Sequence, residues 1–171
     1  MPAPLRLGLA GLGTVGIGVV QIVQRHAEMI AARAGRPVVI TAVSARDKTK
    51  NRDADLSGYA WETDPVALAR RDDVDVFVEV MGGHEGPAKA ATEAAIAAGK
   101  DVVTANKALL AHHGHALALA AEAAGRVIRF EAAVAGGIPV IKALTEGLAA
   151  NRMKRVMGVM NGTCNYILTR M

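Results

Sequence analysis

Apolar and polar positions change rhythm along this chain at regular intervals. Residues 5–10, LRLGLA, form a short apolar run, and Gly11, Gly13 and Gly16 follow at once. Apolar residues then return at helical spacing, with Val15, Val19, Ile22, Val23 and Ile30 on one face, until Gly35 ends the pattern. VVITAVSA at 38–45 is β-branched and predicts a second strand, after which 46–64 is polar and irregular. Asp64–Pro65 opens a short helix with proline at its first position. VDVFVEV at 74–80 predicts a third strand, closed by Gly82 and Gly83, and Pro87 opens an alanine-rich helix that Gly99 closes. KDVVTA at 100–105 predicts strand four, a helix runs on to Gly125, and RVIRFEAAV at 126–134 predicts strand five. Pro139 begins another helix and KRVMGVMNG at 154–162 predicts strand six. The final CNYILTRM is the opening of a helix too short to hold without a packing partner, so the chain is expected to be a truncated one.

Strands alternating with helices predict a parallel sheet with right-handed crossovers, and neither a solenoid repeat nor a low-complexity linker interrupts them. Composition agrees. Half of the 171 residues are apolar but only 3% are aromatic, so the core must be built from Ala, Val, Ile, Leu and Met, which suits layered helices and strands. The net charge of +4 would tolerate a polyanion, yet Lys and Arg are scattered among acids and few aromatics could stack on bases. Nucleic acid is therefore excluded as a partner. Cys164 is the only cysteine, so no internal disulfide forms and a reducing compartment is expected. With no leader pattern and no apolar run of spanning length, the expected setting is the cytoplasm, away from membranes.

The glycine cluster carries the chemistry. Gly11-x-Gly13-x-x-Gly16 stands between a strand and a helix, where Gly11 allows a tight turn, Gly13 lets backbone approach a diphosphate, and Gly16 lets helix and strand pack closely. Free amides at the helix N-terminus would face the phosphates. The predicted fold class is thus α/β, a Rossmann-type doubly wound parallel sheet that binds a nicotinamide dinucleotide. After strand two, Arg46 is suited to the 2′-phosphate of NADP. Lys48, Lys50 and Arg52 strengthen that preference, while Asp47 keeps NAD open. Ligands of such sheets lie beyond the carboxyl ends of the strands. That places Met81 and Gly82 against the cofactor and Lys107, just past strand four, where it could hold an oxygen of a small anionic substrate. His112, His113 and His115 lack further ligands of metal-site spacing and are taken as a solvated helix start, and Trp61 as the anchor of a loop.

GLAGLGTVG, VEVMGG, VVTANKALLA, FEAAVAGGIPVI and GVMNGTCNYILTRM occur in the order found in homoserine dehydrogenases, which the sequence resembles over essentially its whole length. The resemblance implies NAD(P)-dependent interconversion of L-homoserine and L-aspartate 4-semialdehyde, on the way to threonine, methionine and isoleucine. It implies nucleotide contacts at Leu12, Gly13, Thr14, Val15 and Met81, and a lysine at Lys107 that lies by both cofactor and substrate and is implicated in catalysis. It further implies a monovalent cation, usually sodium, at Glu131, Val134, Gly136 and Ile138, mostly through carbonyl oxygens. Gly162 and Thr163 would lie near homoserine. Residues 1–135 would be the nucleotide domain and 136–171 the start of a truncated α+β domain for substrate and dimerisation. That domain's Glu, Asp and Lys lie downstream of the matched blocks. A homodimer is expected of the full-length enzyme, and a chain that binds nucleotide but is inactive of this piece. Two other readings stay open: an NADP-sensing module, and another Rossmann reductase such as an aspartate dehydrogenase. The latter is not expected to share TANKALLA together with NGTCNYIL.

Overall fold

A computed structural model describes residues 2–158, 166 and 168–170. Among them six strands form one sheet: β1 (Leu5–Ala10), β2 (Val38–Ser44), β3 (Ala60–Glu62), β4 (Val76–Glu79), β5 (Asp101–Thr104) and β6 (Ile128–Arg129). Every pairing is parallel and the spatial order is β3-β2-β1-β4-β5-β6. The chain therefore winds outward from β1 in both directions, and the point of reversal lies between β1 and β4. The helices are α1 (Thr14–Arg25), α2 (Ala27–Ala34), α3 (Pro65–Arg70), α4 (Pro87–Ala97), α5 (Lys107–Ala123), α6 (Glu131–Val134) and α7 (Val140–Lys142), the last running into a π-helical turn at Ala143–Gly147.

Continuous apolar strands mean a sheet covered on both faces, and alternate residues go to opposite cores. Leu9, Val43, Val76 and Val78 pack with Leu12 and Val20 on the α1 side. Ala10, Ala42, Phe77 and Val102 pack with Leu68, Ala91, Ala95, Ile96, Leu109 and Leu117 of α3, α4 and α5 on the other. Ala91 and Ala95 of α4 share this core with Phe77, small side chains beside the one large aromatic among them. No helix among the described residues is long and apolar enough to cross a membrane.

Four local expectations are corrected. The helix predicted up to Gly35 breaks at His26, and its buried residues are Gly16 and Val20, whereas Val15 and Ile22 are more than half exposed. Close contact at Gly16 fixes the inward face, which turns residues 15 and 22 outward on a 100° wheel. Ala60–Glu62, taken as irregular, is strand β3, where Tyr59 and Trp61 pack against the α1-side core. Strand five shortens to Ile128–Arg129, because Glu131–Val134 turns into a helix that buries Ala133. Residues 154–158 are not a strand, for Val156 and Met157 stand exposed with no face to cover. The rest of that segment, with Asn161, Gly162, Thr163 and Cys164, lies outside the described residues.

Opposite the carboxyl edge, ion pairs fasten the strand starts. Arg6 donates to Asp75 from its backbone N, Nε and Nη2 at 2.9, 3.0 and 2.6 Å, joining β1 to the approach of β4. These hydrogen bonds hold the Asp75 carboxyl below its usual range, in spite of some desolvation. A depressed carboxylate adds stability that is complete above its unfolded pKa of about 3.9 and vanishes as pH falls through the folded value. Asp75→Asn should therefore melt about 1–3 °C below wild type at pH 7 and by a smaller margin at a pH well below about 3.9. Thermal scans at the two pH values check this, and a gap undiminished in acid would show that the pair does not carry the dependence.

Candidate active site at the carboxyl edge of the sheet

The registers Ala10↔Ser44, Ala10↔Glu79 and Glu79↔Thr104 put the ends of β2, β1, β4 and β5 in one row. Everything that follows those residues leaves from one edge. Three glycines shape the turn from β1 into α1, each for a different reason. Gly11 has φ 104°, and a Cβ there would sit 2.6 Å from the Val80 carbonyl oxygen. A Cβ on Gly16 would overlap the Gly11 carbonyl oxygen. Around Gly13, by contrast, nothing lies within 4 Å of the Cβ position. The first and third glycines are required by the protein's own packing, whereas the second borders open space. Gly13 also stands as the N-cap of α1 with no capping side chain, so the amides of the first turn point outward. Thr14 and Val15 are exposed beside it, but the Leu12 side chain is in the core and only its backbone faces the turn.

At the end of β2, Arg46 is exposed and makes no hydrogen bond or ion pair among the described residues. Asp47 is already committed: its Oδ1 accepts from Thr49 N, Thr49 Oγ1 and Lys50 N at 2.8, 2.7 and 3.2 Å. The Thr49 bonds, helped by Arg52, hold this carboxyl below its ordinary range. Arg52, which the sequence reading did not single out beyond its charge, ties the loop together. It donates to the carbonyls of Asp47, Lys50 and Leu12, the last through Nε at 3.2 Å. Lys48 and Arg52 both lie over Trp61, at 5.9 and 5.5 Å from the ring centroid, so Trp61 anchors this loop as expected.

Past β4 and β5 the edge is organised by a residue the sequence reading missed. Glu79 is fully buried. Its Oε1 accepts from the amides of Met81 and Gly82 at 2.8 and 3.3 Å, and its Oε2 from the Thr104 hydroxyl at 2.7 Å. Asn106 caps α5 by accepting from Leu109 N at 3.1 Å, and its Nδ2 donates to the Gly83 carbonyl. Lys107, the first residue of α5, is consequently exposed on the same edge as the glycine turn. The available signal for Glu79 was an acid inside an otherwise apolar strand, a residue type almost never fully buried without partners.

Glu131 follows β6 on this edge, and its two oxygens accept from Ile141 N and Lys142 N at 3.0 and 2.9 Å. The carboxylate caps α7 and closes a loop containing Val134, Gly136 and Ile138. Among the described residues the Ile138 carbonyl accepts from Val140 N, and no hydrogen bond reaches the carbonyls of Val134 or Gly136. His112 stacks on His84 with centroids 4.1 Å apart, and His113 Nε2 lies 2.7 Å from Glu85. No group of three or more His, Cys, Asp or Glu able to hold a metal occurs among the described residues.

A family model described as the NAD binding domain of homoserine dehydrogenase matches residues 11–131, and one described as homoserine dehydrogenase matches 139–171. The chain is 49% identical to a homoserine dehydrogenase of Neisseria gonorrhoeae over 98% of its own length and 38% of that protein's. It is 44% identical to that of Bacillus subtilis over the same shares. The crystal structure of a homoserine dehydrogenase from Thiobacillus denitrificans superimposes with a TM-score of 0.88 at 46% identity, covering 99% of this chain and 39% of that one. The chain thus spans well under half the length of these relatives. With the glycine turn, the sheet order and these likenesses in agreement, the chain belongs to the homoserine dehydrogenase family and contains that family's NAD-binding domain.

Proposed function

We propose that the chain is the nucleotide-binding part of an enzyme that interconverts L-homoserine and L-aspartate 4-semialdehyde, using NADP in preference to NAD. The observation that carries this reading is the division of labour at the turn: Gly11 and Gly16 are demanded by packing, and Gly13 alone is left open to a ligand. The nucleotide unit ends near residue 135, and 136–171 begins the unit that holds substrate and makes a homodimer; one family match ends at residue 131 and the other begins at 139. The protein works in the cytoplasm.

When bound, the nicotinamide supplies the hydride acceptor for alcohol oxidation and the donor for the reverse. The chain's own residues arrange the rest. Outward amides at the start of α1 hold the diphosphate. The Met81–Gly82 backbone lies along the cofactor, and Lys107 holds the oxygen that changes from hydroxyl to carbonyl. Substrate is gripped by the segment containing Gly162 and Thr163. The free carbonyls of Val134 and Gly136, with that of Ile138 and with Glu131, whose carboxylate also accepts from Ile141 N and Lys142 N, are oxygen donors of the kind a hard monovalent cation such as sodium takes; the ion would brace the loop and carry no step of the reaction.

Coenzyme choice rests on Arg46 standing free while one carboxylate oxygen of Asp47 is taken up by its own turn. Titration of the chain with NADPH and NADH, alongside homoserine oxidation by the full-length protein, tests the proposal. Arg46→Ala is expected to weaken NADPH by about tenfold, the loss of a charge-assisted contact, and to leave NADH nearly unchanged. Equal losses for both would remove Arg46 from the 2′-phosphate. Full-length protein with no homoserine-dependent reduction of NADP would overturn the activity.

A further inference from the structure

A fully buried acid with no cationic partner needs a reason. Glu79 is 0% exposed, and among the described residues it forms no salt bridge. Burying a carboxylate costs several kcal/mol unless hydrogen bonds replace its water. Here four donors do so: Met81 N, Gly82 N, Thr104 Oγ1 and Asn106 Nδ2, the last at 3.5 Å. Two belong to the loop after β4, one to the last residue of β5 and one to the segment that follows it. Thr104 Oγ1 also accepts from Asn106 N at 3.0 Å, and Asn106 goes on to cap α5 and bind the Gly83 carbonyl. One carboxylate is thus the common acceptor for both loops that leave the sheet beside the point of strand reversal. An apolar residue would have filled the same volume without any such requirement.

We infer that Glu79 is a positioning residue: its carboxylate locks the Met81–Gly83 backbone to the Thr104–Asn106 cap, and so fixes where Lys107 stands relative to the cofactor-facing backbone. The inference rests on the proposed reaction and deepens it. Glu79 touches neither substrate nor cofactor. Its effect passes through Asn106, the residue before Lys107 and the cap on which the first turn of α5 is built. Because a misplacement of ~1 Å can cost ~100-fold in rate, the lock belongs to catalysis as well as to folding.

Glu79→Gln keeps size and shape but turns one acceptor into a donor. If the amide oxygen stays on Met81 and Gly82, its NH2 meets Thr104 Oγ1, which already accepts from Asn106 N, and the threonine hydrogen is left without a partner. In full-length enzyme, kcat for homoserine oxidation should fall about 10–100-fold, with KM for NADP within about threefold of wild type. Thr104→Val should behave alike, and Thr104→Ser, which retains the hydroxyl, should restore kcat to within about threefold. Amide exchange at Gly82, Asn106 and Leu109 should quicken by about tenfold or more in Glu79→Gln, while core amides of β1 stay protected. A kcat within about twofold of wild type in both Glu79→Gln and Thr104→Val would overturn the inference, as would a loss explained wholly by the unfolded fraction. Should wild-type protein fail to oxidise homoserine, the proposed reaction falls by itself. The exchange rates still decide the lock: unchanged protection at the three amides refutes it, and selective loss upholds it.

Discussion

Gly13→Ala should leave the melting temperature of the chain where it is and weaken NADPH binding by about tenfold or more. The reason is the contrast among three glycines of one motif. A methyl group at 13 meets nothing within 4 Å, so the folded protein has no objection to it. It would, however, occupy the space through which a diphosphate reaches the amides at the head of α1. Gly16→Ala is the opposite case, since its methyl would overlap the Gly11 carbonyl oxygen and force α1 off the sheet. Over-packing of this kind costs about 1–3 kcal/mol or more, so that variant should melt lower and bind poorly because its helix has moved. Calorimetric titration paired with thermal denaturation separates the two. If Gly13→Ala bound NADPH as tightly as wild type, the diphosphate would not lie at this turn, and the reading of the site would fail with it.

Lys107→Met in the full-length protein should lower kcat by about 10²–10⁴-fold and change NADPH affinity by no more than about threefold. An ammonium that meets the reacting oxygen matters most where charge develops on it, and hence in the rate rather than in the ground-state grip on nucleotide. The local geometry favours this. Lys107 opens α5 directly after the capping asparagine, so its backbone is fixed while its side chain remains exposed at the carboxyl edge of the sheet. Lys107→Arg should recover only part of the activity, because a planar fork does not replace a compact charge at a site holding one oxygen. Stopped-flow measurement of NADPH formation, with a separate binding titration, distinguishes loss of chemistry from loss of cofactor. A kcat within about threefold of wild type for Lys107→Met would assign the oxygen to another group.

Much of this was legible in the sequence, for identifiable reasons. Strands β1, β2, β4 and β5 announce themselves as apolar runs, and the glycine spacing with flanking strand and helix suffices to place the tight turn from β1 into α1. Asp64–Pro65 likewise marks the start of α3, where the Asp64 side chain accepts from Val66 N. The misses share a cause, in that tertiary contacts decided them. Trp61 is in a strand because β2 offers it a partner at Val43, and the three residues of β3 are too few to carry a periodic signal. Glu131–Val134 left the sheet because the Glu131 carboxylate is needed ten residues later, on the amides that start α7. Glu79 was passed over as one polar letter in a strand. Its four partners come from positions up to 27 residues away, a relation that no local window contains.

Arg52 has a practical implication for anyone wishing to alter coenzyme choice. By donating to Leu12 on one side and to Asp47 and Lys50 on the other, it bolts the loop after β2 to the glycine turn between β1 and α1. A dinucleotide bound as proposed would therefore meet two surfaces that are tied to each other. Exchanging the side chain of Arg46 leaves that bolt in place, whereas transplanting the whole segment from a differently selective enzyme would loosen the glycine turn too. Affinity for both coenzymes would then drop before selectivity had changed at all.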